Sequence, residues 1–121
     1  MKGKIFIDSA NILNWIPEDP TGDIEGTKLA MNVMESLVEE QGPLQILVDL
    51  TKGQRPNSLQ RQIIINALRS NYHKITKIAI FGESPLMKAI AFFVINTAGY
   101  TNMKFFANRS LAIQWLQKTE S

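Results

Sequence analysis

Three short runs, "LQILVDL", "KITKIAIF" and "NMKFFA", are rich in apolar residues, and longer stretches between them bring an apolar residue back every three to four positions. A run that apolar is what a strand covered on both faces requires, because both alternating sets of side chains must leave water. Where such strands alternate with amphipathic helices, each crossover leads to a parallel neighbour and is right-handed. The chain is therefore expected to be α/β, around a largely parallel sheet.

The remaining segments extend this pattern. "KIFID" and "NILNWI" flank Ser9-Ala10, which suits a hairpin that adds one antiparallel member. After the turn-rich "PEDPTGD", residues Leu29, Ala30, Val33, Met34, Leu37 and Val38 form one helical stripe, with Lys28, Asn32, Glu35, Glu39 and Glu40 opposite. That helix ends before Gly42-Pro43. "TKGQRPNS" breaks the next strand, and Asn57 or Ser58 is placed to cap a second helix with Leu59, Ile63, Ala67 and Leu68 inward. A third helix starts after Ser84 and closes at Gly99, a position suited to a left-handed cap. Asn108 caps a last helix bearing Leu111, Ala112, Trp115 and Leu116. The expectation is a single domain over residues 1–121, a mixed sheet of four to five strands flanked by four helices, in the order ββαβαβαβα. Trp15, at the end of an early strand, is expected as a lid on the core.

Composition removes several chemistries. The 121 residues include no cysteine, which excludes thiolate chemistry and suits a reducing cytoplasm, the expected location. One histidine without cysteine makes no zinc site. Asp19, Thr21, Asp23 and Glu25 alternate as calcium ligands do, but Ile24 and Ala30 stand where an EF-hand loop needs glycine and glutamate, so no metal is expected. The longest greasy run, Ala89 to Ile95, is far short of the roughly 20 residues of a spanning helix. Charge is polarised: nine acids and three bases lie in residues 1–49, ten bases and two acids beyond. Lys52, Arg55, Arg61, Arg69, Lys74 and Lys77 form an acid-free block, expected to be a solvated face that pairs with the acidic first half. Nucleic acid is not the expected partner, because the only aromatic among these bases is Tyr72.

The "GESP" corner at residues 82–85 is the place most like an active site. A hydrolase elbow reads Gly-x-Ser-x-Gly and takes an oxyanion donor from the residue after serine, but Pro85 has no N–H to give. His73 precedes the strand at whose far end Ser84 sits, so no triad can form. Ser84 as N-cap with Pro85 in the first turn accounts for the same letters. No catalytic residue is assigned and the protein is not expected to be an enzyme.

From Leu86 to Ile95 only Lys88 is polar, so this helix is apolar on nearly every side. Met87, Phe92, Phe93 and Ile95 are accordingly the candidate surface for a homodimer or an apolar ligand.

"LQILVDL", "ITKIAIFGESPLMKAIAFFV" and "MKFFANRSLAIQWLQ" resemble the SpoIIAA-like family, relatives of the STAS domain of anti-sigma factor antagonists. The likeness covers residues 45–118 well and residues 1–44 by element order. It implies a STAS-like fold related to the CRAL-TRIO lipid-binding fold. It further implies action by partner docking, with a phosphorylated serine in the loop after a central strand as the switch. Here that loop is "TKGQRPNS", which points to Lys52, Gln54, Arg55, Ser58 and Arg61 as a partner-binding surface, with Ser58 as the phosphosite. The Asp-Ser-Ser-Gly pattern of the switching antagonists is absent, so Ser58 also reads as a simple cap. The leading expectation is a non-enzymatic regulatory module that binds a protein or its own copy without a cofactor. The alternative is a carrier or sensor of an apolar, lipid-like ligand near Met87, Phe92 and Phe93.

Overall fold

The computed structural model describes residues 2–118. Strands β1 (Lys4–Ile7) and β2 (Ile12–Ile16) are followed by α1 (Ile24–Gln41), β3 (Leu44–Asp49), α2 (Ser58–Ser70), β4 (Ile75–Phe81), α3 (Pro85–Ala98), β5 (Met103–Phe106) and α4 (Arg109–Gln117). A single 3-10 turn, Tyr72–Lys74, precedes β4. The order of elements is the expected one, and five strands form one sheet.

The strands lie side by side in chain order, β1 antiparallel to β2 and all other neighbours parallel. With no reversal of order, every right-handed crossover steps the same way, so α1, α2 and α3 share one face and α4 alone covers the other. The pleat sorts side chains accordingly. Leu13, Ile46, Ile78 and Met103 face the three helices, in register across β2 to β5, while Ile12, Leu47, Ala79 and Phe81 face Ala112 and Leu116 of α4.

Local chemistry fixes the helix ends. Asp23 caps α1 by accepting from the Gly26 N–H, Ser84 caps α3 by accepting from that of Met87, and Asn108 does the same for Leu111 in α4. Asn57, not Ser58, caps α2: its side chain accepts from the Gln60 N–H while Gln60 Oε1 accepts from the Asn57 N–H, a capping box. Gly99 closes α3 at φ +80°, a conformation that costs a residue without Cβ almost nothing. The last turn of α4 has no basic residue; Lys77 reaches across from β4 to donate to the carbonyls of Trp115 and of the cap residue Lys118. Its ammonium also lies 5.1 Å from the centre of the Trp115 ring.

The expected inward stripes need three corrections. Leu29, Leu59 and Leu111 are about half exposed. In α1 the buried set is Gly26, Thr27, Ala30, Met31, Met34 and Val38, and in α2 it is Gln60, Ile65 and Leu68. Each helix is turned so that a polar residue with local partners, Thr27 or Gln60, goes inward at its first turns.

The hairpin from β1 to β2 is held by Asp8. Its carboxylate accepts from the backbone N–H groups of Ala10 and Ile12 and from the Asn14 side chain, while Asn11 takes the left-handed conformation at φ 63°. Burial pushes the Asp8 carboxyl up, but the Asn14, Ile12 and Ala10 hydrogen bonds and the charge of Arg109 outweigh it and leave it below its ordinary value. A folded-state value below the unfolded one means the carboxylate stabilises the fold above the ordinary range near pH ~4, and the contribution disappears as pH falls through the lowered value. The stability gap between the wild type and Asp8→Ala, measured by urea unfolding, is therefore expected to be flat from about pH 5 to 8 and to shrink below about pH 4.

Candidate functional site: a cavity between sheet and helices

The three-helix face of the sheet does not close completely. A cavity of about 100 Å³ remains between β2–β5 and α1–α3. A single water needs only ~10–15 Å³, and native interiors hold few voids larger than that. Leaving this one empty costs about 2 kcal/mol, at ~24 cal/mol per Å³ of unfilled volume.

Each element contributes its inward residues. The floor is Leu13 and Trp15 of β2, Ile46 and Val48 of β3, Ile78 and Ile80 of β4, and Met103 of β5. The roof is Met31 and Met34 of α1, Ile64 and Leu68 of α2, and Met87, Ile90, Ala91 and Val94 of α3. Met31, Met34, Met87 and Met103 line it, unbranched side chains that re-pack around irregular shapes. Pro17, Asp19, Gln54 and Pro56, on the loops after β2 and β3, close the end nearest solvent, where Gln54 is exposed.

Among the lining residues, Thr27 and Gln60 are polar and buried, and both are occupied. Gln60 Nε2 donates to Thr27 Oγ1 at 3.0 Å and to the Pro20 carbonyl at 3.2 Å, and its Oε1 accepts from the N–H groups of Gly22 and Asn57. Thr27 Oγ1 donates to the Asp23 carbonyl. Trp15 differs: its Nε1 is buried with no acceptor among the described residues. Trp15 is thus a wall of this cavity as well as the expected lid.

The predicted residues are divided by the fold. Met87 is buried and lines the cavity, while Ile95 is partly buried against the same core. Phe92 and Phe93 are 46% and 51% exposed on the outer side of α3, so a ligand held jointly by Met87, Phe92 and Phe93 is ruled out by geometry. The 100° step per residue turns Phe92 and Phe93 outward when Met87, Ala91 and Val94 point in. Phe92 leans on Phe105 with ring centres 6.0 Å apart, and Lys88 covers it at 5.7 Å. Arg61 of α2 lies 5.5 Å from the centre of the Phe93 ring and donates to the Pro56 carbonyl, which joins the two predicted patches.

In the loop after β3, Gln54 reaches the cavity, Lys52 is exposed, and Arg55 lines a cleft with Glu83, Ser84 and Leu86. Ser58 is exposed as the first residue of α2. The expected pairing of the basic block with the acidic first half reduces to one contact among the described residues, Lys74 to Glu39 at 3.8 Å. Arg61, Arg69 and Lys77 instead donate to backbone carbonyls. Asp19 accepts from the Lys2 N–H and Asp23 from the Gly26 N–H, so their oxygens serve the loop and the helix cap. Sequence alone assigns no role to Thr27, Met31 or Gln60 and gives Met34 only a place on the α1 stripe; the signal for Gln60 is present in "NSLQ", a cap residue followed three positions later by glutamine.

The architecture is that of a small α/β domain with an apolar hollow beneath one helix layer. The SpoIIAA-like family model matches residues 21–117, and the chain belongs to that family. The match extends the likeness into the first half, where the sequence resemblance rested on element order alone. A crystal structure of an uncharacterized protein from the DUF3478 family of Shewanella loihica PV-4, with a SpoIIAA-like fold, superposes with a TM-score of 0.63 at 16% identity. The alignment covers 94% of this chain and 91% of that one, and at that identity it establishes shared fold. No curated protein matches the sequence. Among the described residues no helix is long and apolar enough to cross a membrane.

Proposed function

We propose that this chain is a non-enzymatic binding module that takes a small apolar molecule into the space between its sheet and helices, as a carrier or sensor. The observation that carries this reading is the cavity of about 100 Å³ with an almost wholly apolar lining. A dry apolar hollow of ~150 Å³ takes up benzene; this one is smaller, and the methionines on its wall re-pack to admit a solute of that size. Its polar members Thr27 and Gln60 carry no titratable group and are committed to one another and to the neighbouring loops, and Asp19, at the end nearest solvent, accepts from the Lys2 N–H. The absence of cysteine fits action in a reducing cytoplasm.

The test is native mass spectrometry of protein purified without detergent, followed by denaturing mass analysis. A non-covalent adduct is expected in the wild type and not in Ala91→Leu, which places three more carbons in the hollow. Because the void accepts them, the variant is expected to keep its melting temperature or raise it. A wild type that is empty and also refuses apolar probes in solution sinks the proposal.

A second reading, docking of a regulatory protein or a second copy, is favoured by the exposed Leu59, Leu86, Phe92 and Phe93 on the outside of α2 and α3. The same spectra separate the two. A dimer mass without adduct supports docking, and an adduct on a monomer supports carriage.

A further inference from the structure

The proposed cavity also carries information about which molecule it takes. Trp15 lines it, and the Trp15 indole N–H is buried without an acceptor, while every other buried polar side-chain atom among the described residues has a partner. A buried donor left unmade costs about 1–3 kcal/mol. The indole nitrogen has no surface open to the hollow as its walls stand, so an occupant returns an acceptor to it as the neighbouring methionine side chains re-pack. The ionisable side chain on the lining is Asp19, an acid at the end nearest solvent. Arg55 turns to the adjoining cleft, and among the described residues no lysine, arginine or histidine lines the hollow. An ionised carboxylate entering it would lose its water, meet no cation and approach a like charge.

From these three facts we infer that the ligand is uncharged, an apolar ring or short chain with one carbonyl-type oxygen, and that Trp15 Nε1–H donates to that oxygen. The inference rests on the cavity being a ligand site. It assigns Trp15 as the residue that tells a neutral carbonyl compound from a hydrocarbon of the same shape, while the four methionines supply shape tolerance. The strand sets this position: Trp15 pairs in register with Val48 of β3, which keeps the indole on the helix-covered face.

Three probes of similar size separate the possibilities: acetophenone, ethylbenzene and benzoate, titrated into the wild-type chain and into Trp15→Phe at pH 7. Raw affinities include the greater hydrophobicity of ethylbenzene, so the quantity compared is the acetophenone-to-ethylbenzene affinity ratio. That ratio is expected to fall about tenfold in Trp15→Phe, the value of one buried hydrogen bond. In the wild type, the Trp15 indole resonance in a proton-nitrogen spectrum is expected to move downfield with acetophenone and not with ethylbenzene. The chain has two tryptophans, and Trp115→Phe assigns the signals. Benzoate is expected to bind at least tenfold more weakly than acetophenone.

The wild-type spectrum reports on the bond even if Trp15→Phe does not fold. An unmoved indole signal with both neutral probes bound overturns the role of Trp15 and leaves the cavity reading standing. Benzoate binding as tightly as acetophenone overturns the requirement for neutrality. Failure of both neutral probes overturns this inference and the proposed function together.

Discussion

Gln60→Ala is expected to lower stability by about 3 kcal/mol, a drop of roughly 10 °C in melting temperature. Gln60 is 3% exposed and stands where α2, α1 and the loop after β2 meet. Its Oε1 accepts from the N–H groups of Gly22 and Asn57, at 2.7 and 2.9 Å, and its Nε2 serves Thr27 and Pro20. Alanine leaves those two part-buried N–H groups without their side-chain acceptor, each at up to about 1–3 kcal/mol, and dissolves the capping box. Gly22 sits at φ +86°, which turns its N–H to Gln60 Oε1. Gln62→Ala is the control. Gln62 is exposed two positions along the same helix, and its loss is expected to stay within about 0.5 kcal/mol. Urea unfolding of the two variants checks the contrast, and equal effects would mean that helix propensity, rather than the buried network, governs this helix start.

The second large effect lies on the other side of the sheet. Leu47→Ala is expected to cost about 3 kcal/mol and to loosen α4 without weakening uptake of an apolar probe. Leu47 is 1% exposed on the central strand and packs with Ile12, Phe81, Ala112 and Leu116. Ala79 and Ala112 beside it are already small, so the surrounding side chains have little with which to fill the gap. The cavity is built from the opposite pleat, where Ile46 and Val48 point. The Trp115 indole resonance in a proton-nitrogen spectrum, which reports on α4, is expected to shift and broaden, while ethylbenzene binding stays within about twofold. Parallel loss of binding would show that the two faces of the sheet are mechanically coupled.

Sequence alone determined the element order, the strand composition and the helix ends, because these depend on neighbours along the chain. The apolar runs at 44–50 and 75–81 read as two-sided strands and are the buried β3 and β4. The letters around Asn57, Ser84, Gly99 and Asn108 marked helix boundaries that occur where capping chemistry places them. Family membership was legible for the same reason, since its signature is core packing along consecutive strands.

Only the tertiary structure decided which residues meet across the chain. Periodicity finds an apolar stripe but not its rotation, and a pair of hydrogen-bonded polar residues, Thr27 and Gln60, turned Leu29 and Leu59 outward. It likewise parted Met87 from Phe92 and Phe93, which one greasy stretch had grouped together. The cavity and the unpaired Trp15 indole were invisible beforehand, because a void is the difference between the space that strands and helices enclose and the volume of side chains from seven elements. Acceptors absent from around one buried N–H are likewise a property of the packed whole.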